Sequence, residues 1–157
     1  MTVRHSAGLL VYRRAPDGDL QVLLGHMGGP FWVRKDDGAW SIPKGEVEDG
    51  EELLDAARRE FTEELGVPAP GGDLTDLGHL RQPNGKVVHV WAVEGDLDVA
   101  TVIGGSFTME WPRGSGVLQE FPELDRAEWF GLPAAEAKLV KGQRPFLERL
   151  RTAAGRG

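Results

Sequence analysis

Three acidic residues, Glu60, Glu63 and Glu64, fall within little more than one turn of a predicted helix, with Arg59 immediately before the first. At about 100° per residue they span an arc of roughly 100°, so their carboxylates share one face. Acidic side chains at these spacings repel by roughly 0.2–0.5 kcal/mol per pair, so a helix that keeps them together needs a counter-charge. A divalent cation supplies it. Carboxylate oxygens are the ligands preferred by Mg²⁺, Mn²⁺ and Ca²⁺, and Mg²⁺ takes one or two carboxylates and fills its other positions with water and phosphate oxygens. The pattern points to phosphate chemistry. Arg59 stands four residues before Glu63 and is placed to pair with it and fix its rotamer.

The helix that carries these residues is predicted from about Glu51 to Leu65, because Leu54, Ala57, Phe61 and Leu65 recur at the spacing of one apolar face. Asp49 and Glu52 make a capping-box pattern at its start, and Gly66 is the stop signal. Upstream, Ala7 to Tyr12 and Gln21 to Gly25 read as a hairpin across Pro16-Asp17-Gly18. A glycine-containing loop from Met27 to Gly38 leads to a short strand at Ala39 to Ile42, which Pro43 and Gly45 break. Downstream, strands are predicted at Leu77 to Arg81 and Lys86 to Val93 across Asn84-Gly85, then a hairpin of Gly104 to Trp111 with Val117 to Phe121. A short strand at Glu128 to Gly131, a helix from Pro133 to about Val140, and a last helix with Pro145 in its first turn complete the chain. Strands dominate around one well-marked helix, which makes the class α/β or α+β with a mixed sheet.

At 157 residues the chain suits one domain with a proper core. Its formal charge is −7 and it has no run of lysine or arginine, which argues against a nucleic-acid polymer or a membrane surface as partner. There are no cysteines, so thiol catalysis, disulfides and cysteine-ligated zinc are excluded. No segment has the apolar length of a membrane span, and the expectation is a cytoplasmic protein, monomer or homodimer. Histidines 5, 26, 79 and 89 lack metal-ligand spacing and read as strand or loop residues.

The stretch from Gly45 to Val67 resembles the Nudix box: Gly, five residues, Glu, seven residues, Arg-Glu, an apolar residue, any residue, Glu-Glu, any residue, Gly and an apolar residue. Gly45, Glu51, Arg59, Glu60, Phe61, Glu63, Glu64, Gly66 and Val67 meet every specified position. Seven fixed identities at this spacing arise by chance with odds on the order of 10⁻⁸ to 10⁻⁹, so coincidence is set aside. The resemblance implies a Nudix fold, a mixed β-sheet sandwiched between α-helices, over a single domain at residues 1–152 with 153–157 as a frayed tail. It implies hydrolysis of a nucleoside diphosphate linked to another moiety. The cofactor it implies is Mg²⁺ or Mn²⁺, held by Glu60, Glu63, Glu64 and the backbone carbonyl of Gly45.

A pyrophosphate needs its charge neutralised and a water lined up with a base. The base is a box glutamate, Glu60 by preference, or Glu120, since some Nudix enzymes draw it from a loop outside the box. Glu120 and Glu123 flank a turn-like Phe-Pro. The catalytic candidates are then Glu60, Glu63, Arg59 and Glu120. Lys44, Arg34 and Lys35 are candidate charge-assisted donors to phosphate oxygens, and Phe31 and Trp32 are candidates to stack on a base or ribose. The approach Trp40 to Gly45 is similar to that of Nudix members acting on dinucleoside polyphosphates, while nucleoside triphosphates stay open as substrates. A Nudix-like nucleotide-binding or regulatory module without turnover is the alternative.

Overall fold

A computed structural model of the chain describes residues 3–154; of the tail expected to fray at 153–157, Ala153 and Ala154 close the last helix and 155–157 fall outside the described residues. Its centre is a seven-stranded mixed sheet built on β1 (His5–Arg14). One edge of β1 runs parallel to β6 (Val87–Glu94), which pairs in turn with β5 (Leu74–Arg81). The other edge is shared. Near its end, β1 pairs with β2 (Leu20–Met27) through Tyr12↔Val22, and near its start with β4 (Lys44–Glu46) through Ala7↔Gly45. Beyond the hairpin turn β1 and β2 therefore part company. Into the fork go β4, against β1, and β3 (Trp40–Ser41), against β2. The far edge of β2 is covered by β9 (Leu124–Gly131).

Pro43 breaks the strand as expected, since β3 ends at Ser41, but Gly45 lies inside β4 and ends no strand. Pro43 sits at the step between the two short strands, where its carbonyl accepts from Leu9 N–H and a Cβ on Gly8 would lie 2.7 Å from that same oxygen. Close backbone approach is what makes the step possible. The expected strand at Glu128 to Gly131 is also longer, starting at Leu124, because Leu124 and Ala127 bury themselves among charged neighbours that mask the pattern.

Alternation on β1 explains the two cores. Leu10 faces one side with Val22, Leu24, Val90 and Ala92; Ala7, Leu9 and Val11 face the other. The first side is covered by α2 (Leu132–Lys138) and α3 (Pro145–Ala154), through Leu132, Ala135, Phe146, Leu147 and Leu150. The second is covered by α1 (Leu53–Leu65), through Ala56, Ala57, Phe61 and Leu65. A strand buried on both faces reads as a continuous apolar run, as AGLLVY does. The sheet is held between helices, the sandwich that the resemblance implies. Among the described residues no helix is long and apolar enough to cross a membrane.

The start of α1 departs from expectation. Glu52, the residue before the helix, makes no side-chain cap, so the Asp49–Glu52 box is not formed. Glu51 instead turns back to accept from the N–H of Glu48 at 3.0 Å, because its carboxylate is already drawn to Arg59. Gly66 ends the helix at φ 71°, as its position suggested, with its N–H on Thr62 O. Outside the main sheet, β7 (Ser106–Glu110) and β8 (Leu118–Pro122) pair only with each other, in the expected hairpin.

Candidate active site

The glutamates of α1 open onto a cavity of about 740 Å³ whose wall includes Lys44 and Gly45 from β4, Glu60, Glu63 and Glu64 from α1, Ser106 from β7, and Glu123 between β8 and β9. The fork in the sheet puts β4 against the helix. Glu60 lies so close over Gly45 that a Cβ there would stand 2.0 Å from the Glu60 carboxyl carbon. A methyl group here would have to push that carboxylate aside.

Arg59 organises the acids from behind. Its Nε and Nη2 donate to the two carboxylate oxygens of Glu51 at 2.8 and 3.1 Å, a fork-to-fork pair. Nη1 donates to Glu60 at 3.1 Å and to both oxygens of Glu63 at 3.2 and 3.1 Å, and Nη2 also reaches the carbonyl of Glu46 on β4 at 3.1 Å. One guanidinium thereby ties helix to strand and fixes two carboxylate orientations. The hydrogen bonds from Arg59 hold Glu51 below the usual carboxylate range, and those to Glu51 hold Arg59 charged. The Arg59–Glu63 pairing and an orienting part for Glu51 are both in place.

The electrostatics of the cavity are unfavourable to its own acids. Burial first, and then the charge of Glu60, push Glu64 up to about 8, against the partial relief of Lys44. Glu60 is raised by burial, with Glu63 adding to it and Arg59 opposing. Lys44 is lowered by burial, with Glu64 resisting. Five carboxylates, those of Glu46, Glu60, Glu63, Glu64 and Glu123, around one lysine leave a negative excess that a divalent cation would neutralise. The donor set, oxygen only and acidic, suits Mg²⁺ or Mn²⁺. Among the described residues no three acidic or histidine side chains sit close enough to share one ion as they stand, and both oxygens of Glu63 are turned onto Arg59.

Not every candidate reaches the cavity. Glu120 lies on β8, on the face shared with Ser106 and Thr108, where it accepts from Ser106 Oγ at 2.9 Å without lining the wall. Glu123, named from the sequence only as a flank of Phe-Pro, does line it. Its backbone is clasped twice: its N–H donates to Gly105 O at 2.9 Å and its carbonyl accepts from Gly28 N–H at 3.0 Å. Gly105 N–H in turn donates to Glu63 O, and Ile103 N–H to Leu65 O, so this strap satisfies carbonyls left open at the end of α1. The cue in the sequence was the Pro122-Glu123 step just past a strand, which alternation alone does not resolve.

Arg34, Lys35 and Trp32 lie on the β2–β3 loop outside the cavity wall. Trp32 is half-buried against the core beneath α2 and α3, with the Lys35 ammonium 5.2 Å from its ring centre. The loop is pinned by His26, fully buried, whose Nε2 donates to Lys35 O at 2.6 Å while Nδ1 lies 3.0 Å from Asp125 Oδ1.

The NUDIX domain model matches residues 3–150 of the chain. The RNA pyrophosphohydrolase of Novosphingobium aromaticivorans is 57% identical over 35 residues, a match that spans 22% of this chain and 22% of that curated relative. Among solved structures, a C. elegans Ap4A hydrolase binary complex superposes with a TM-score of 0.64 at 22% identity, over 95% of this chain and 97% of that one. The NUDIX domain of Shewanella oneidensis NrtR, complexed with ADP ribose, superposes with a TM-score of 0.66 at 14% identity, over 99% and 90%. At such identities these structures establish the fold.

Proposed function

The chain belongs to the Nudix family, and from that premise we propose that it is a metal-dependent hydrolase of a pyrophosphate linkage in a nucleoside diphosphate-linked small molecule, either a dinucleoside polyphosphate or a nucleoside triphosphate. The observation that carries this reading is the convergence of Glu60, Glu63, Glu64 and Glu123 with Gly45 and Lys44 on one cavity. The names of the relatives, an Ap4A hydrolase and an RNA pyrophosphohydrolase, support it.

Glu60, Glu63, Glu64 and the carbonyl of Gly45 would hold Mg²⁺ or Mn²⁺, which when bound supplies charge neutralisation of the diphosphate and polarisation of the bond to be cleaved. Arg59 fixes Glu60 and Glu63 so that little ordering remains when substrate arrives. Lys44, on the cavity wall, donates to a phosphate oxygen. Glu123 takes the proton of the attacking water at a carboxylate oxygen, a role for which its clasped backbone suits it better than Glu120 on the hairpin face. Glu60, also on the cavity wall, is the alternative acceptor of that proton.

The test is nucleotide release from ATP, diadenosine tetraphosphate and ADP-ribose, with Mg²⁺ or Mn²⁺ and with chelator. Turnover of at least one is expected, abolished by chelator and cut at least about 100-fold by Glu63→Gln. Glu123→Gln should cost at least tenfold in kcat, and Glu120→Gln less than threefold. Binding of these compounds without metal-dependent product would replace the enzyme by a nucleotide-binding module.

A further inference from the structure

We propose that Phe31 and Trp111, with Arg113 beside them, form a binding site for a nucleobase carried at the far end of a polyphosphate substrate. This rests on the hydrolase reading above and extends it from the cavity to the hairpin.

Among the described residues the hairpin β7–β8 belongs to no larger sheet, and two strands alone are marginal in water. Its alternation puts Phe107, Met109 and Trp111 on one face, joined by Phe121 across the Phe107↔Phe121 pair. That face turns toward the β2–β3 loop: a Cβ on Gly29 would lie 3.0 Å from the Phe107 ring, and Phe31 meets Trp111 edge to face at 5.3 Å and 79°. Phe107 and Phe121 account for the packing. Phe31 does not, since it stays 45% exposed at the open end. The guanidinium of Arg113 lies 5.5 Å from its ring centre, and the loop also carries Arg34. Among the described residues neither arginine is paired with a carboxylate, in a chain of net charge −7.

An exposed aromatic edge with the Arg113 guanidinium beside it suits a planar ring attached to an anion. Continuity with the cavity selects the occupant. Gly105 and Ser106 line the acid cavity, and Trp111 lies five residues farther along the same strand direction, about 17 Å at the rise of a β-strand. A base joined through one diphosphate bridge cannot reach from the acids to that point, whereas a base at the end of several phosphates can. The platform therefore discriminates by the length of the phosphate chain.

The experiment compares diadenosine tetraphosphate with ADP-ribose on the whole protein and on Phe31→Ala, Trp111→Ala and Trp111→Phe. Each alanine variant is expected to raise KM for the tetraphosphate about tenfold with kcat within about twofold, and to leave KM for ADP-ribose unchanged; Trp111→Phe should retain near-native KM. Equal effects on both substrates, a loss confined to kcat, or no effect would overturn the platform. If the native protein hydrolyses neither compound, equilibrium binding of diadenosine tetraphosphate decides. Binding weakened by Phe31→Ala upholds the platform and rejects turnover, and binding unaffected by it rejects the platform.

Discussion

Replacing Glu64 by glutamine should make the metal-free protein more stable while crippling it. Glu64 titrates at 4.5 in an unfolded chain and is pushed up to about 8 in the fold, by burial and then by Glu60. Because the folded state prefers the neutral acid, its ionisation penalty is absent below about pH 4.5, grows as pH rises toward 8, and is constant above that. At 1.36 kcal/mol per pH unit the interval sets a ceiling of about 5 kcal/mol. The side chain is only partly buried, and solvent and Lys44 relax around it, so roughly 1–3 kcal/mol is the working expectation. For a domain of this size that is a Tm gain of roughly 3–9 °C. Thermal unfolding in chelator at pH 5, 7 and 9 reads it directly: the native protein and Glu64→Gln should coincide at pH 5 and separate progressively at pH 7 and 9, the variant higher. Adding Mg²⁺ should reverse the order at pH 7, since a ligand at 100 times its Kd adds about 2.7 kcal/mol to a fold that binds it. A variant that melts below the native protein at pH 9 in chelator, or a gap that does not change with pH, would refute the electrostatic account of this cavity.

Arg59→Lys keeps the charge but loses the fork on Glu51 and the bridge from Glu60 to Glu63, so kcat/KM should fall about 10–100-fold in steady-state assays while Tm changes little. Gly45→Ala puts a methyl 2.0 Å from the Glu60 carboxyl carbon and must displace it; calorimetric titration should show Mg²⁺ binding weakened about 10–100-fold. Phe61→Ala, at a site with no exposure on the face of α1 that packs on the sheet, should cost about 3–5 kcal/mol in denaturant unfolding.

How much of this was legible depends on how local each signal is. The box helix declared itself, because Leu54, Ala57, Phe61 and Leu65 repeat at helical spacing and Gly66 stops them. Both hairpin turns at Gly18 and Gly85 were readable from residues that tolerate positive φ. The strand β4 was hidden: Lys44, Gly45 and Glu46 have no strand character, and only their pairing with Ser6, Ala7 and Gly8 makes them one. The clustering of Lys44 and Gly45 with the three box glutamates followed from the motif. Placing Glu123 in the cavity and Glu120 outside it required knowing where β8 ends and how Gly28 and Gly105 grip the next residue, which are contacts between segments far apart in sequence. Trp32 was misleading for the usual reason: an aromatic in a loop is as ready to cover a core as to face a ligand.

The strap at residues 103–105 separates two kinds of variation. Gly66 and Gly104 approach so closely that a methyl on the first would strike Ile103 O at 2.0 Å and one on the second Glu64 O at 2.1 Å, and the Glu123-to-Gly105 bond closes the excursion of residues 106–122 at its base. The far end of that excursion, beyond Ser106 and the Phe107–Phe121 pair, can be lengthened, shortened or exchanged with the acid at its root held in register. A graft at the Gly114–Gly116 tip should retune which molecules are admitted and leave the cleavage apparatus untouched, making the arm an interchangeable head on a fixed handle.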